Sequence, residues 1–321
     1  MLGHQAASEA WTRLGETGGA GVQALALDPV DANRLYAGTT DRGLYLTANG
    51  GGDWSNPLPQ GVAAIAIEAQ APATAYAGTY GFGAYKSTDH GVAWSPISSG
   101  LAADHVLSLL VGPGPAPALY AGTEMGVFIS GDSGATWQAS SNGFSGRTVY
   151  ALAFLDSAIL LGSDMGAFQS SDGGASWLAA NSGLAANEVY CLAASGDTVY
   201  AGTERGIFQS TDAGGNWRVA SLGVPTQPVS ALAVAPGRPE VVFAATGQGV
   251  YGSDNGGSSW VDLSANLSGW ALQASGLAVG GHAEPWTLYA GTGSGVWTRL
   301  VAASTPITRA YLPIVENRSA H

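Results

Sequence analysis

Short apolar runs recur along the whole chain, each closed off by glycine, asparagine, aspartate or serine. Runs such as Val149-Tyr-Ala-Leu152-Ala-Phe154 and Val229-Ser-Ala-Leu232-Ala-Val234 are nearly all apolar, the pattern of a strand buried on both faces. After each comes Leu-Tyr-Ala-Gly-Thr or a close variant, as at 35–39, 119–123 and 288–292. A tight turn then leads to Gly-Val-Phe-x-Ser at 126–130, with relatives at 166–170 and 206–210. A fourth strand is expected to start at a tryptophan. Four short strands in about 40–45 residues is the unit of a β-propeller blade.

The join between third and fourth strands repeats most closely. It reads Ser87-Thr-Asp89-His-Gly91-Val-Ala-Trp94, Ser130-Gly-Asp132-Ser-Gly134-Ala-Thr-Trp137 and Ser170-Ser-Asp172-Gly-Gly174-Ala-Ser-Trp177. Ser210-Thr-Asp212-Ala-Gly214-Gly-Asn-Trp217 follows, and two further copies carry amides, Asn49 before Trp54 and Asn255 before Trp260. These segments resemble the Asp-box, S/T-x-D-x-G-x-x-W, of BNR-type propellers, over roughly residues 11–300. That family includes sialidases, xyloglucanase-type glycoside hydrolases, sortilin-type receptor domains and photosystem II assembly factors. The chemistry of the box is structural. The acid or amide oxygen accepts backbone N–H groups within the turn, and the glycine supplies a positive φ. The tryptophan is expected to pack on the next blade. Asn49, Asp89, Asp132, Asp172, Asp212 and Asn255 are thus turn staples, not catalytic groups.

Six boxes complete six blades, yet a seventh set of strands follows at 276–280, 286–292 and 295–300. No box closes that set. Trp11-Thr-Arg-Leu14, near the other end, reads as a fourth strand with no box before it. Joined, the two fragments make a seventh blade and close the ring, which removes exposed sheet edges. The expectation is an all-β, seven-bladed propeller over 11–301, with an N-terminal extension at 1–10 and a C-terminal tail at 302–321. Within the tail, Ala310-Tyr-Leu-Pro-Ile-Val315 resembles short tails that end some exported bacterial proteins.

Composition narrows the function. With 11 Lys and Arg against 23 Asp and Glu the net charge is −12, so a phosphate-binding groove for nucleic acid is not expected. Cys191 is the single cysteine, leaving neither disulfide nor thiolate metal site, and it reads as a buried small hydrophobe. The five histidines lack metal-ligand spacing, so no metal or other cofactor is expected. No apolar stretch is long enough for a membrane-spanning helix, and the N-terminus lacks the basic and apolar regions of a signal peptide. Either the protein stays inside or a signal has been trimmed, and the family resemblance favours an extracytoplasmic location.

Propeller ligands usually meet the face formed by the turns between second and third strands and by the connections between blades. Candidates on that face are Asp41, Arg42, Tyr80, Glu124, Asp164, Glu204, Arg205 and Trp270. The connections add Glu16, Asp104, His105, Arg147, Asn187, Glu188 and Gln227. Glu124, Asp164 and Glu204 hold one turn position in three consecutive blades, which predicts a contiguous acidic arc favouring a basic or cationic partner. The resulting reading is a non-catalytic scaffold that binds a protein or glycan. The alternative is a glycoside hydrolase or lectin on the same face. Hydrolysis needs two carboxyl groups roughly 5–10 Å apart with separated pKa values. The arc can supply carboxylates, but the face offers few arginines (Arg42, Arg147 and Arg205), in short turns lacking the flanking motifs of sialidases, and one propeller replaces the xyloglucanase pair.

Overall fold

The computed structural model describes residues 10–301, apart from 16, 18, 20, 115, 145, 226 and 282–284. The N-terminal extension (save Ala10), the tail, and the candidate Glu16 lie outside the described residues. Seven four-stranded antiparallel sheets stand around one axis, and the chain forms a seven-bladed β-propeller. Blade one holds Val22–Leu27, Leu35–Thr39, Gly43–Thr47 and Ser55–Leu58. Five more blades follow in chain order, starting at Val62, Val106, Val149, Val189 and Val229. The seventh comprises Ala274–Gly280, Trp286–Thr292, Gly295–Val301 and, from the other end of the chain, Thr12–Arg13. Thr12 pairs with Thr298 and Arg13 with Trp297, so the ring closes as the sequence predicts.

The tryptophans show how neighbouring blades are joined. The indoles of Trp54, Trp137, Trp177, Trp217 and Trp260 donate to Leu14, Ile97, Ser140, Ala180 and Ala220 carbonyls. Each acceptor follows the fourth strand of the preceding blade, so the expected contact with the next blade is reversed. Trp11 obeys the same rule, donating to Leu263 at 2.7 Å. It therefore completes blade seven as the box tryptophans complete theirs. Trp94 is the exception and turns to its own Gly91. The blade before it also departs from the others, with a register shift between its third and fourth strands.

A second repeated contact fits each blade to the next. The glycine of the second strand faces the valine that opens the following blade. A Cβ added at Gly78, Gly162 or Gly202 would lie 2.6, 2.5 or 2.8 Å from Val106, Val189 or Val229. Blade six carries Ala245 in the glycine's place, and the first strand beyond it opens with Ala274 instead of valine. One methyl added on one side is matched by two removed on the other.

The box turns behave as staples. Ser130 Oγ, in a residue 1% exposed, accepts the Gly134 N–H and donates to Asp132, whose carboxylate accepts from Thr136. Hydrogen bonds from Thr136, Ser176 and Asn216 hold the carboxyls of Asp132, Asp172 and Asp212 down at about 2. Such depressed groups stabilise the fold above their ordinary value of 3.8 and lose that effect as pH falls through the folded value. The melting temperature is therefore expected to drop between pH 4 and pH 2, measured by circular dichroism. Ser130→Ala leaves a buried N–H unpaired and is expected to cost about 1–3 kcal/mol in a urea titration.

Candidate functional site

Seven turns between second and third strands build one face, and buried hydroxyls fix them from beneath. Thr39, Thr79, Thr123, Ser163, Thr203, Thr246 and Thr292, each fully buried, donate to the glycine carbonyl that opens the third strand. In six blades the same oxygen accepts a turn N–H, from Arg42, Met125, Met165, Arg205, Gln248 and Ser294. Side chains on this face thus project from rigid pedestals.

The candidate acids sit on equivalent turns of blades three to five, but they are not equivalent chemically. Glu124 accepts the N–H of Asp104 and of His105, the latter at 3.1 Å. Glu204 takes the N–H of Asn187 at 2.9 Å and of Glu188 at 3.1 Å. Both glutamates clamp the connection that enters their own blade, and so serve the fold. Asp164 is one methylene shorter. Its Oδ1 is shielded from solvent and has no hydrogen-bond partner. The acidic arc is therefore two clamps flanking one carboxylate with an unused acceptor. Arg205 lies against Glu204 at 3.5 Å and remains largely exposed.

Asp41 and Arg42 are exposed in blade one, where the Arg42 carbonyl accepts from Asn56. Trp270 is 69% exposed on the short 3-10 turn Gly269–Leu272. It stands over Gly293, where a Cβ would come within 3.4 Å of its ring. Tyr80 turns inward, donating to Gln23 at 2.6 Å and meeting His105 edge-on.

Two groups escaped sequence reasoning. Phe82, Met125 and Met165 are 58, 53 and 49% exposed, on the same turn of blades two, three and four. The signal was available, since these two are the internal methionines of a chain with three. The second group lines the channel. Inner strands do not bury both faces as expected: Tyr150 and Leu152 are only half-buried, between buried neighbours. At the turn-bearing end the strands surround a cavity of about 600 Å³ lined by Gln23, Tyr80, Tyr150, Tyr190, Cys191 and Ser230, among others. Cys191 is accordingly part of the channel wall, and its thiol donates to the Val229 carbonyl at 3.5 Å.

Tyr150 and Tyr190 meet edge to face with centroids 5.7 Å apart, and the Tyr190 hydroxyl donates to Glu188. That bond, with burial and nearby negative charge, pushes the Tyr190 phenol up to about 12. Burial also raises Tyr150, aided by the charges of Glu188 and Asp164. Among the described residues no group of three His, Cys, Asp or Glu side chains converges as a metal site would require. No described helix is long and apolar enough to cross a membrane.

No family model matches the sequence, and no curated protein does. Solved structures resemble it in fold. The GH74 xyloglucanase of Xanthomonas campestris superposes with a TM-score of 0.72 at 19% identity, over 90% of this chain. This chain spans about half of that enzyme, 53% of its length. YCF48 bound to a D1 peptide gives a TM-score of 0.68 at 17% identity, covering 91% of this chain and 97% of the other. The extracellular domain of BT4673 from B. thetaiotaomicron gives 0.68 at 16% identity, covering 90% and 39%. At these identities the likeness establishes the seven-bladed propeller.

Proposed function

We propose that the chain is a BNR-type propeller serving as a non-catalytic, extracytoplasmic scaffold that binds a protein or glycan partner through the turn-bearing face. The observation that carries this reading is the exposed row Phe82, Met125 and Met165 on fixed turns, with Trp270 further round. Methionine and aromatic side chains are what interfaces concentrate, and methionine adapts its shape to a partner. The use of Glu124 and Glu204 as backbone clamps supports the scaffold reading over the glycoside hydrolase, since both carboxylates are engaged in holding the connections of their own blades. A similar propeller binding a D1 peptide, and another forming an extracellular domain, are in keeping with it.

A Phe82→Ser, Met125→Gln, Met165→Gln variant is the test, because it alters only exposed side chains. It is expected to melt within a few degrees of wild type, and to lose at least tenfold in affinity for the native partner in a quantitative pull-down. Unchanged affinity would move the site elsewhere. Turnover of a glycosidic substrate by the wild type would overturn the reading in favour of the hydrolase.

A further inference from the structure

The channel mouth is neutral, in a chain of net charge −12. Among the described residues, none that lines its cavity of about 600 Å³ carries a charge. That volume lies within the roughly 300–1,000 Å³ of small-molecule sites, which are mostly apolar with a few polar groups to fix orientation. The rim comes from the second residue of the first strands, and its two sides differ. Leu107, Tyr150 and Tyr190 stand on blades three to five, across the ring from Gln23, Ser230 and Ser275 on blades one, six and seven. Two positions deeper, Leu25, Leu232 and Leu277 line the same cavity. Tyr150 and Tyr190 meet edge to face, so their rings are oriented before anything binds.

Most polar groups of this wall are already engaged by the protein. The Tyr80 hydroxyl donates to Gln23 at 2.6 Å, that of Tyr190 to Glu188, and that of Ser230 to the Ala274 carbonyl at 2.7 Å. The Cys191 thiol is spent on the Val229 carbonyl. Only the hydroxyls of Tyr150 and Ser275 and the amide nitrogen of Gln23 lack a hydrogen-bond partner among the described residues that line the wall. A sugar, with hydroxyls around its whole edge, would lose more hydrogen bonds to water than these groups replace. An ion would be desolvated against a wall that offers no countercharge.

We propose that the channel mouth is a binding site for an uncharged aromatic ring carrying one hydrogen-bonding group. The ring extends the tyrosine pair, since aromatic rings favour edge-on and offset contacts with one another. Its apolar edge covers the leucines, and its polar group meets the Tyr150 hydroxyl or the Gln23 amide. The chemistry is shared by a free phenolic or indolic compound and by a tyrosine or tryptophan side chain of a polypeptide. The site adds to the scaffold reading and does not use the exposed row Phe82, Met125 and Met165.

Calorimetric titration with 2-naphthol tests it, with decahydro-2-naphthol as the saturated comparator and methyl β-glucoside as the sugar. The expected result is saturable binding of 2-naphthol at one site, at least threefold weaker binding of the saturated alcohol, and none of the glucoside. A Tyr150→Leu, Tyr190→Leu variant keeps the net charge and the apolar wall but removes both rings. It is expected to bind 2-naphthol at least tenfold more weakly and to lose the preference for the aromatic alcohol. Should that variant fail to fold, Ser275→Asp sets a charge into the neutral wall opposite the tyrosines, and it must weaken 2-naphthol as much while melting as wild type does. Equal binding of the saturated alcohol or the glucoside, or equal affinity in wild type and variants, overturns the proposal. Comparing indole with acetyl-Gly-Trp-Gly-amide separates the sources, the tighter ligand marking a free compound or a polypeptide. The Phe82→Ser, Met125→Gln, Met165→Gln variant must still bind 2-naphthol as wild type does. A wild type that binds its partner but not 2-naphthol sinks this inference and leaves the scaffold reading standing.

Discussion

Trp11→Ala is expected to lower the unfolding free energy by about 3–5 kcal/mol, the cost of emptying a buried aromatic site. Trp11 is 3% exposed and belongs to the core cluster shared by blades six and seven. Its indole donates to Leu263, its N–H to Asn266 at 2.8 Å, and the Asn266 amide returns a bond to its carbonyl at 2.9 Å. Losing the side chain therefore weakens the closure of the ring as well as its packing. Removing residues 1–16 should do more, because the third strand of blade seven then presents a bare edge. Urea unfolding measures the first effect, and light scattering on warming the second. A truncated chain that melts at the wild-type temperature without aggregating would refute closure by this strand.

Ala274→Val is expected to destabilise by about 1–3 kcal/mol, although valine opens the first strand of the other six blades. At every valine the preceding blade offers a bare glycine, and only before Ala274 does it offer Ala245. The added methyls meet a Cβ that fully buried neighbours hold in place, and so close a packing cannot give way cheaply. Gly162→Ala should cost a similar amount for the mirror-image reason. The decisive measurement is the double variant Ala245→Gly, Ala274→Val. It recreates the glycine–valine pair, and should recover most of the loss with a coupling energy of about 1–2 kcal/mol. Simple addition of the two single effects would show that the pairing is coincidental.

The sequence makes the blade period legible because every blade carries a tryptophan at fixed spacing, and six of the seven place a glycine turn with Asp or Asn just before it. Closure is legible too, since Trp11 stands in register with Trp54 while lacking a box. The direction of the tryptophan hook was not, because a linear repeat reads the same whether each indole reaches forward or back. Inner strands of nearly unbroken apolar composition hid the half-open positions of Tyr150 and Tyr190. For the candidate site, the chain locates the turns but not what lies beside them. A glutamate at a turn looks solvated until the neighbouring connection offers two N–H groups, as happens at Glu124 and Glu204. Replacing it with the shorter Asp164 reads as conservative, yet that single methylene separates a satisfied clamp from an idle oxygen.

The clasp of the ring also has a mechanical character. Thr12–Arg13 and Gly295–Val301 run antiparallel, with the chain entering the first beside the point where it leaves the second. Tension between the segment before Trp11 and the segment after Val301 would peel this pair open one bond at a time, instead of shearing all its bonds together. A two-residue strand peeled in this way offers little resistance. The load falls first on Trp11, wedged between blades six and seven and bonded to both Leu263 and Asn266. The propeller is thus latched by a peg more than by a seam, and its tensile strength should follow the indole at position 11.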